Sequence, residues 1–187
     1  MLKLFSKKWT ENKGFTLIEL LVVIAIIGVL ASIIIASLNN SRKKARDTRR
    51  LTDIKQIQLA LELYFDANSS AYPVSTAICT GTPLTTAVEN RGLQDLVIKG
   101  FIPQIARDPN STTATPICYL YASKPTPITT YHLGAKMEDD KFPALSGDKD
   151  CNSTTALPTA LSCGGSIYTN GFVGTDTTAD PIYDVIP

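Results

Sequence analysis

Residues 13–38 decide the fold. Lys13-Gly14-Phe15-Thr16-Leu17-Ile18-Glu19 opens an almost uninterrupted apolar run that continues to Leu38, and from Leu20 to Leu38 there is no charged side chain. Counted from Phe15 the run is roughly 24 residues, or about 36 Å as a helix, enough to cross a hydrocarbon core of about 30 Å. The stretch before it, Met1 to Gly14, is short and carries Lys3, Lys7, Lys8 and Lys13 against one acid, Glu11. A general secretory signal has a shorter apolar stretch, with its small-residue cleavage point at the far end. Here Gly14-Phe15 lies before the run, so a cut there would leave the helix on the mature chain.

Glu19 is the one charge at the start of this segment. A carboxylate at the centre of a membrane helix costs about 2.5–3.5 kcal/mol, and such groups are usually functional. One reading leaves Glu19 near the headgroups, snorkelling to water. The other uses the cut: cleavage after Gly14 creates an ammonium at Phe15, four residues from Glu19. In a packed array of such helices, that ammonium and a neighbour's carboxylate would neutralise each other in a low-dielectric core. Losing either partner of a buried pair is strongly destabilising, which would fix the register between subunits.

The basic leader, Gly14-Phe15, Glu19 and the aliphatic run together resemble the signature of the type IV pilin and pseudopilin superfamily. The resemblance implies a prepilin peptidase that cuts between Gly14 and Phe15 and methylates the new amino terminus, with Glu19 guiding assembly. It implies an α+β, pilin-like fold: a long N-terminal helix, membrane-spanning in its first half, packed on a small antiparallel sheet with disulfide-stapled loops. The expected division is a leader over 1–14, a membrane and assembly segment over 15–38, the amphipathic half of the helix over 39–68, and a globular domain over 69–187. Before assembly the chain would sit in the cytoplasmic membrane with its carboxy-terminal domain outside; afterwards it would lie in a filament at the cell surface. The implied partners are copies of itself, the peptidase, an inner-membrane assembly platform and the lipid bilayer.

No proline occurs before Pro73, and Gly28 is the only glycine between Phe15 and Gly81. A helix can therefore run from about Thr16 to Asn68. Its second half places Leu51, Ile54, Ile57 or Gln58, Leu61, and Tyr64 or Phe65 at helical spacing, one apolar stripe for a sheet to cover. The turn formers of Asp66–Tyr72 and Pro73 end it. Gly28, about 1 kcal/mol less favourable than alanine in a helix, reads either as a point of close helix packing or as a local melting point on assembly. Many type IV pilins have a proline where this chain has Ala36, which argues against extensive melting.

Arg42, Lys43, Lys44, Arg46, Arg49 and Arg50 form a basic cluster, opposed locally by Asp47. By the positive-inside rule alone the carboxy side would stay in the cytoplasm; the leader motif and the cysteines favour the exterior. The cluster reads as a solvated face touching lipid phosphates or neighbouring acids such as Asp53, Glu62 and Asp66. A DNA-contacting stripe, with salt-dependent phosphate contacts, is the weaker reading.

After Tyr72 threonine, serine, proline and glycine dominate, over enough chain for one small domain. Gly92–Gly100 reads as a short helix with a glycine stop, and Cys118–Ser123 and Thr129–Ala135 as strands of an antiparallel sheet. The order Gly-Leu-Gln-x-Leu, Pro, Asp-Pro, Tyr-x-Tyr over about 90–122 loosely resembles the major pseudopilins of type II secretion; Gly134–Pro187 reads as a divergent addition. Cys79, Cys118, Cys151 and Cys163 form no Cys-x-x-Cys pair, so zinc is not expected and no metal site or cofactor is assigned. An even count in an exported domain favours disulfides. Of three connectivities, Cys151–Cys163 with Cys79–Cys118 is favoured; four buried thiols are the rival. Among the late acids, Asp148, Asp150 and Asp176 are weak calcium candidates that fit no EF-hand spacing.

The lone His132 sits beside Tyr131 in an apparent strand, where a structural role outweighs a catalytic one, and no nucleophile or phosphate-loop motif accompanies it. An enzyme is not expected. The net charge of +1 would fall to about −2 without the leader, which neither drives nor forbids packing. The first functional expectation is a pilin of a type IV pilus-like extracellular filament. The alternative is the major pseudopilin of a type II secretion system.

Overall fold

The computed structural model describes residues 14–75, 92–112, 117–154, 163, 172–174 and 181–187. The chain divides into two units, Met1–Ser41 and Arg42–Pro187. Helix α1 spans Leu17–Ala67, within a residue of the extent expected at each end. Two serines in the left-handed region, Ser69 and Ser70, both at φ 57°, follow it. The amides of Asn68 and Ser70 donate to Phe65 O at 3.3 and 3.1 Å, closing the last turn.

In the second unit the apolar stripe of α1 is buried as its spacing requires. Ile54, Ile57, Leu61 and Tyr64 are buried, while Leu51 and Phe65 are half-buried against the same core. Helix α2 is short, Gln94–Ile98, and stops at Gly100, whose φ of +79° suits glycine. Its Leu96, with the preceding Leu93, joins the core. Three strands follow: β1 (Leu120–Ser123), β2 (Tyr131–Lys136) and β3 (Ile182–Val185). They form an antiparallel sheet in that order, with Tyr121 opposite Leu133 and Leu133 opposite Val185. A 3-10 helix, η1 (Pro143–Gly147), lies between β2 and β3.

Side chains alternate across β2 because successive Cβ atoms point to opposite faces. Tyr131, Leu133 and Ala135 enter the core that holds the α1 stripe. On the other face His132 and Gly134 meet a second cluster, built from Ala122, Cys151, Cys163 and Phe172. A Cβ on Gly134 would stand 2.8 Å from the Phe172 ring, so only glycine lets that ring lie so close. The sheet is thus covered on both faces, by α1 and by the late loops. That explains why β3 reads Ile-Tyr-Asp-Val with all four residues buried and shows no polar alternation. Cys151 and Cys163 are joined, with Cα atoms 5.2 Å apart. Cys118 is also disulfide-bonded; Cys79 lies outside the described residues.

Candidate functional site

The expected processing and assembly residues stand together at the start of α1. Gly14, Phe15 and Thr16 precede its first turn, and Phe15 is 92 % exposed. Thr16 is the N-cap. The Glu19 amide donates to Thr16 Oγ1 at 3.2 Å, and the Thr16 amide donates back to Glu19 Oε2 at 2.8 Å. The Thr16 hydroxyl also donates to Oε2, at 2.7 Å. This reciprocal pairing is a capping box, which satisfies two of the amides that a helix start leaves without partners. The Thr-x-x-Glu spacing carries that signal in the sequence, and the reading of Glu19 by charge alone missed it. Oε1 of Glu19 accepts no hydrogen bond among the described residues.

Beyond the cap, the large apolar side chains from Leu17 to Leu38 are each 44–82 % exposed. Fully burying one such side chain is worth about 1.5–3 kcal/mol, so this surface in water is unfavourable by tens of kcal/mol. Among the described residues, α1 is the one helix long and apolar enough to cross a membrane. Within it the Ser32 hydroxyl is satisfied locally, donating to Val29 O at 2.7 Å. A Cβ on Gly28 would meet nothing within 4 Å, so no contact among the described residues calls for glycine at that position.

The basic cluster is only partly the solvated face expected of it. Arg42, Lys43 and Lys44 are exposed, and Arg49 reaches Asp53 at 3.9 Å. Arg50, however, is 2 % exposed, and its partners are not Asp53, Glu62 or Asp66. It donates to Asp108 through Nε (2.6 Å) and Nη2 (3.0 Å), and through Nη1 to Asp47 (2.6 Å) and Glu138 (2.8 Å). Arg46 grips Glu138 through Nε (2.7 Å) and Nη2 (2.5 Å). Asp47, fully buried, also accepts the amides of Glu138 and Asp139. Hydrogen bonds from Arg46, then those from Arg50, hold the Glu138 carboxyl down at about 2 against the effect of burial. The Arg50 guanidinium is held charged by the same acids, its pKa raised despite desolvation. Two of the six cations therefore act as a bolt between α1, the Asp108 loop and the end of β2.

His132 is fully buried on β2. Its Nε2 lies 2.7 Å from Asp184 Oδ2, and its Nδ1 lies 2.7 Å from Ser153 Oγ. A carboxylate only accepts, so Nε2 carries the proton. Burial pushes the imidazole's pKa down, against the pull of Asp184. Asp184 also accepts the amides of Lys149, Asp150 and Cys151, and Ser153 Oγ accepts the Phe172 amide at 2.9 Å. The three side chains have the chemistry of a hydrolytic triad, but all are fully buried and Ser153 holds backbone. Their work is to tie the late loops to the sheet. Of the calcium candidates, Asp148 accepts the Asp184 amide at 3.3 Å and Asp150 adopts φ 49°; Asp176 lies outside the described residues.

The family described as prokaryotic N-terminal methylation motif matches residues 9–35, which include Gly14, Phe15, Thr16 and Glu19. The chain is 30 % identical over 140 residues to type II secretion system core protein G of Pseudomonas aeruginosa, covering 75 % of this chain and 93 % of that one. The chain belongs to the type II secretion system core protein G family. The Vibrio cholerae member is 30 % identical over 115 residues, covering 55 % of this chain and 68 % of its own. The Escherichia coli member is 33 % identical over 100 residues, which span 54 % of this chain and 59 % of the relative. No solved structure matches the chain. Membership in this family favours the secretion alternative over the surface pilus that stood first among the expectations.

Proposed function

We propose that the chain is a major pseudopilin of a type II secretion system, a structural subunit and not an enzyme. The observation that carries this is the match to core protein G over 93 % of the Pseudomonas aeruginosa relative. The exposed apolar half of α1 supports it. On this reading a prepilin peptidase removes residues 1–14 and methylates Phe15. Residues 15–38 anchor the precursor in the inner membrane and later pack against other copies, 39–68 carry the soluble domain, and 69–187 face the exterior side.

Assembly then uses the capped helix start. In the precursor, Glu19 Oε2 serves its own helix, and Oε1 accepts no hydrogen bond among the described residues. Once Phe15 is freed, a neighbour's ammonium can approach Oε1 without breaking the cap. The pairing removes a charge that would otherwise be costly in the lipid or in a helix bundle. Removal of this chain from its host should leave exoproteins trapped inside the cell envelope, and plasmid-borne wild type should restore their export. Unimpaired export together with loss of surface filaments would return the pilus reading.

A further inference from the structure

His132, Cys151 and Cys163 are distant in sequence, yet a ring nitrogen of the first and the sulfurs of the other two lie within 4.8 Å of one another, all buried. In the oxidised chain the sulfurs are bonded to each other and offer no thiolate. Opening that bond changes the chemistry of the pocket, since two thiolates and a neutral imidazole are the donors zinc prefers. Zinc takes sulfur at about 2.3 Å and imidazole nitrogen at about 2.0–2.1 Å, so tetrahedral donors around one ion stand roughly 3.3–3.8 Å apart. Once their bond is open, the two sulfurs have to part to about 3.8 Å, and the nitrogen has to close by at most roughly 1.5 Å, which side-chain rotation supplies. We infer that the reduced form of this chain holds a zinc-class divalent ion between Cys151, Cys163 and His132.

The surroundings suit an ion there. Whichever ring nitrogen coordinates, no polar group is orphaned. If Nδ1 is taken, the Ser153 hydroxyl still has Phe172 O at 3.0 Å. If Nε2 is taken, Asp184 keeps the amides of Lys149, Asp150 and Cys151. With Nδ1 as ligand, the Nε2–H···Asp184 bond is the carboxylate–histidine arrangement that orients metal-bound imidazoles. Phe172 stacks on the ring at 3.7 Å and 11°, closing one side to water. The absence of a Cys-x-x-Cys motif hid this grouping in the sequence, because β2 and two late loops bring the donors together.

The step balances with a dithiol as reductant. The Cys151–Cys163 bond breaks, both sulfurs become thiols, and the dithiol leaves as its own disulfide. The ion then displaces the two thiol protons to solvent and binds two thiolates and a neutral imidazole, with the fourth position open to water. The late loops would thus be pinned to the sheet in either redox state, by a covalent bond or by a metal.

The test uses the full-length chain in detergent, with Cys79→Ser and Cys118→Ser to remove the other cysteines. It is reduced with a phosphine, whose oxidation to the oxide by way of water leaves no competing thiol. Zinc binding is read by chelator competition, and cobalt by thiolate-to-metal charge-transfer absorption. The reduced protein should bind one ion per chain and show the cobalt band. His132→Gln and Cys151→Ser should each weaken binding at least tenfold, and the oxidised protein should not bind at these residues. Circular dichroism guards against loss of fold: a reduced chain that unfolds without zinc and refolds with it supports the site. No binding by the reduced chain, a chain that stays unfolded with zinc, or binding that His132→Gln leaves unchanged would overturn it.

Discussion

Glu19 and Thr16 cap the first turn of α1 for each other, the Glu19 amide reaching Thr16 Oγ1 at 3.2 Å and the Thr16 amide reaching Glu19 Oε2 at 2.8 Å. The cap is a local duty that needs an oxygen acceptor; the proposed assembly role would add a second, intermolecular one that needs a charge. Alanine removes both. Glutamine keeps the acceptor, as in other capping boxes, and removes only the charge. Glu19→Gln should retain slow hydrogen exchange at the Thr16 amide while cross-linked multimers fall at least tenfold. Normal multimers from Glu19→Gln would assign the residue to capping alone. Thr16→Ala should cost about 1 kcal/mol at the helix start, seen as faster exchange over residues 17–19.

Arg50 and Asp108, 58 residues apart, are joined by two hydrogen bonds inside a cluster of three acids. Removing the cation leaves Asp47 and Asp108 buried without their main partner. Arg50→Ala should destabilise the Arg42–Pro187 unit by about 3–5 kcal/mol, a fall on the order of 10 °C in thermal midpoint. Arg50→Lys should recover only part of this, because an ammonium cannot reproduce the two-pronged grip on Asp108. Calorimetry of the two variants decides, and equal midpoints for alanine and wild type would refute the bolt.

Acid should act through Glu138 and His132 in different windows. Glu138 is held at about 2 in the fold, below its ordinary 4.5. The unfolded chain therefore binds more protons between those values, and stability falls as pH drops from about 4.5 toward 2. His132 is also lowered, from 6.5, so its contribution is present above 6.5 and declines as pH falls below it. Chemical denaturation across pH should show a decline beginning near 6.5 that His132→Gln flattens, and a second below 4.5 that Arg46→Ala flattens.

Two glycines should respond in opposite ways. A Cβ on Gly174 would collide with the Asp184 carboxylate and stand 2.9 Å from Cys151 O, so Gly174→Ala should destabilise by about 1–3 kcal/mol. Gly28 has open space around it, and Gly28→Ala should strengthen the isolated helix by about 1 kcal/mol. Melting curves of the unassembled chain measure both. Loss of multimers in Gly28→Ala, with the monomer intact, would place the need for glycine in packing between copies.

Much of this fold was legible because α1 is periodic and lacks breakers. Its ends and the buried stripe of Ile54, Ile57, Leu61 and Tyr64 followed from spacing and composition, and the Cys151–Cys163 bond was the favoured one of three possible connectivities. Strand β3 was not legible: with both faces covered, Ile182–Val185 shows no alternation, and four residues are too few for a propensity signal. The burial of Arg50 was hidden for a related reason. A run of cations reads as a solvated face until Asp108 and Glu138, distant in sequence, are brought against it. The grouping of His132, Ser153 and Asp184 likewise depends on strand register, which single-residue patterns do not encode. The Thr16-x-x-Glu19 cap is legible locally, because Thr-x-x-Glu before an apolar run is itself a helix-start signal.

The proposed subunit keeps its apolar helix after its leader is cut away. Mass spectrometry of the amino-terminal peptide, from protein extracted out of the host's membranes, tests this most directly. The predicted result is a peptide that begins at Phe15 and carries one added methyl group on its amine. A chain that still carries Gly14 and the residues before it would contradict the account.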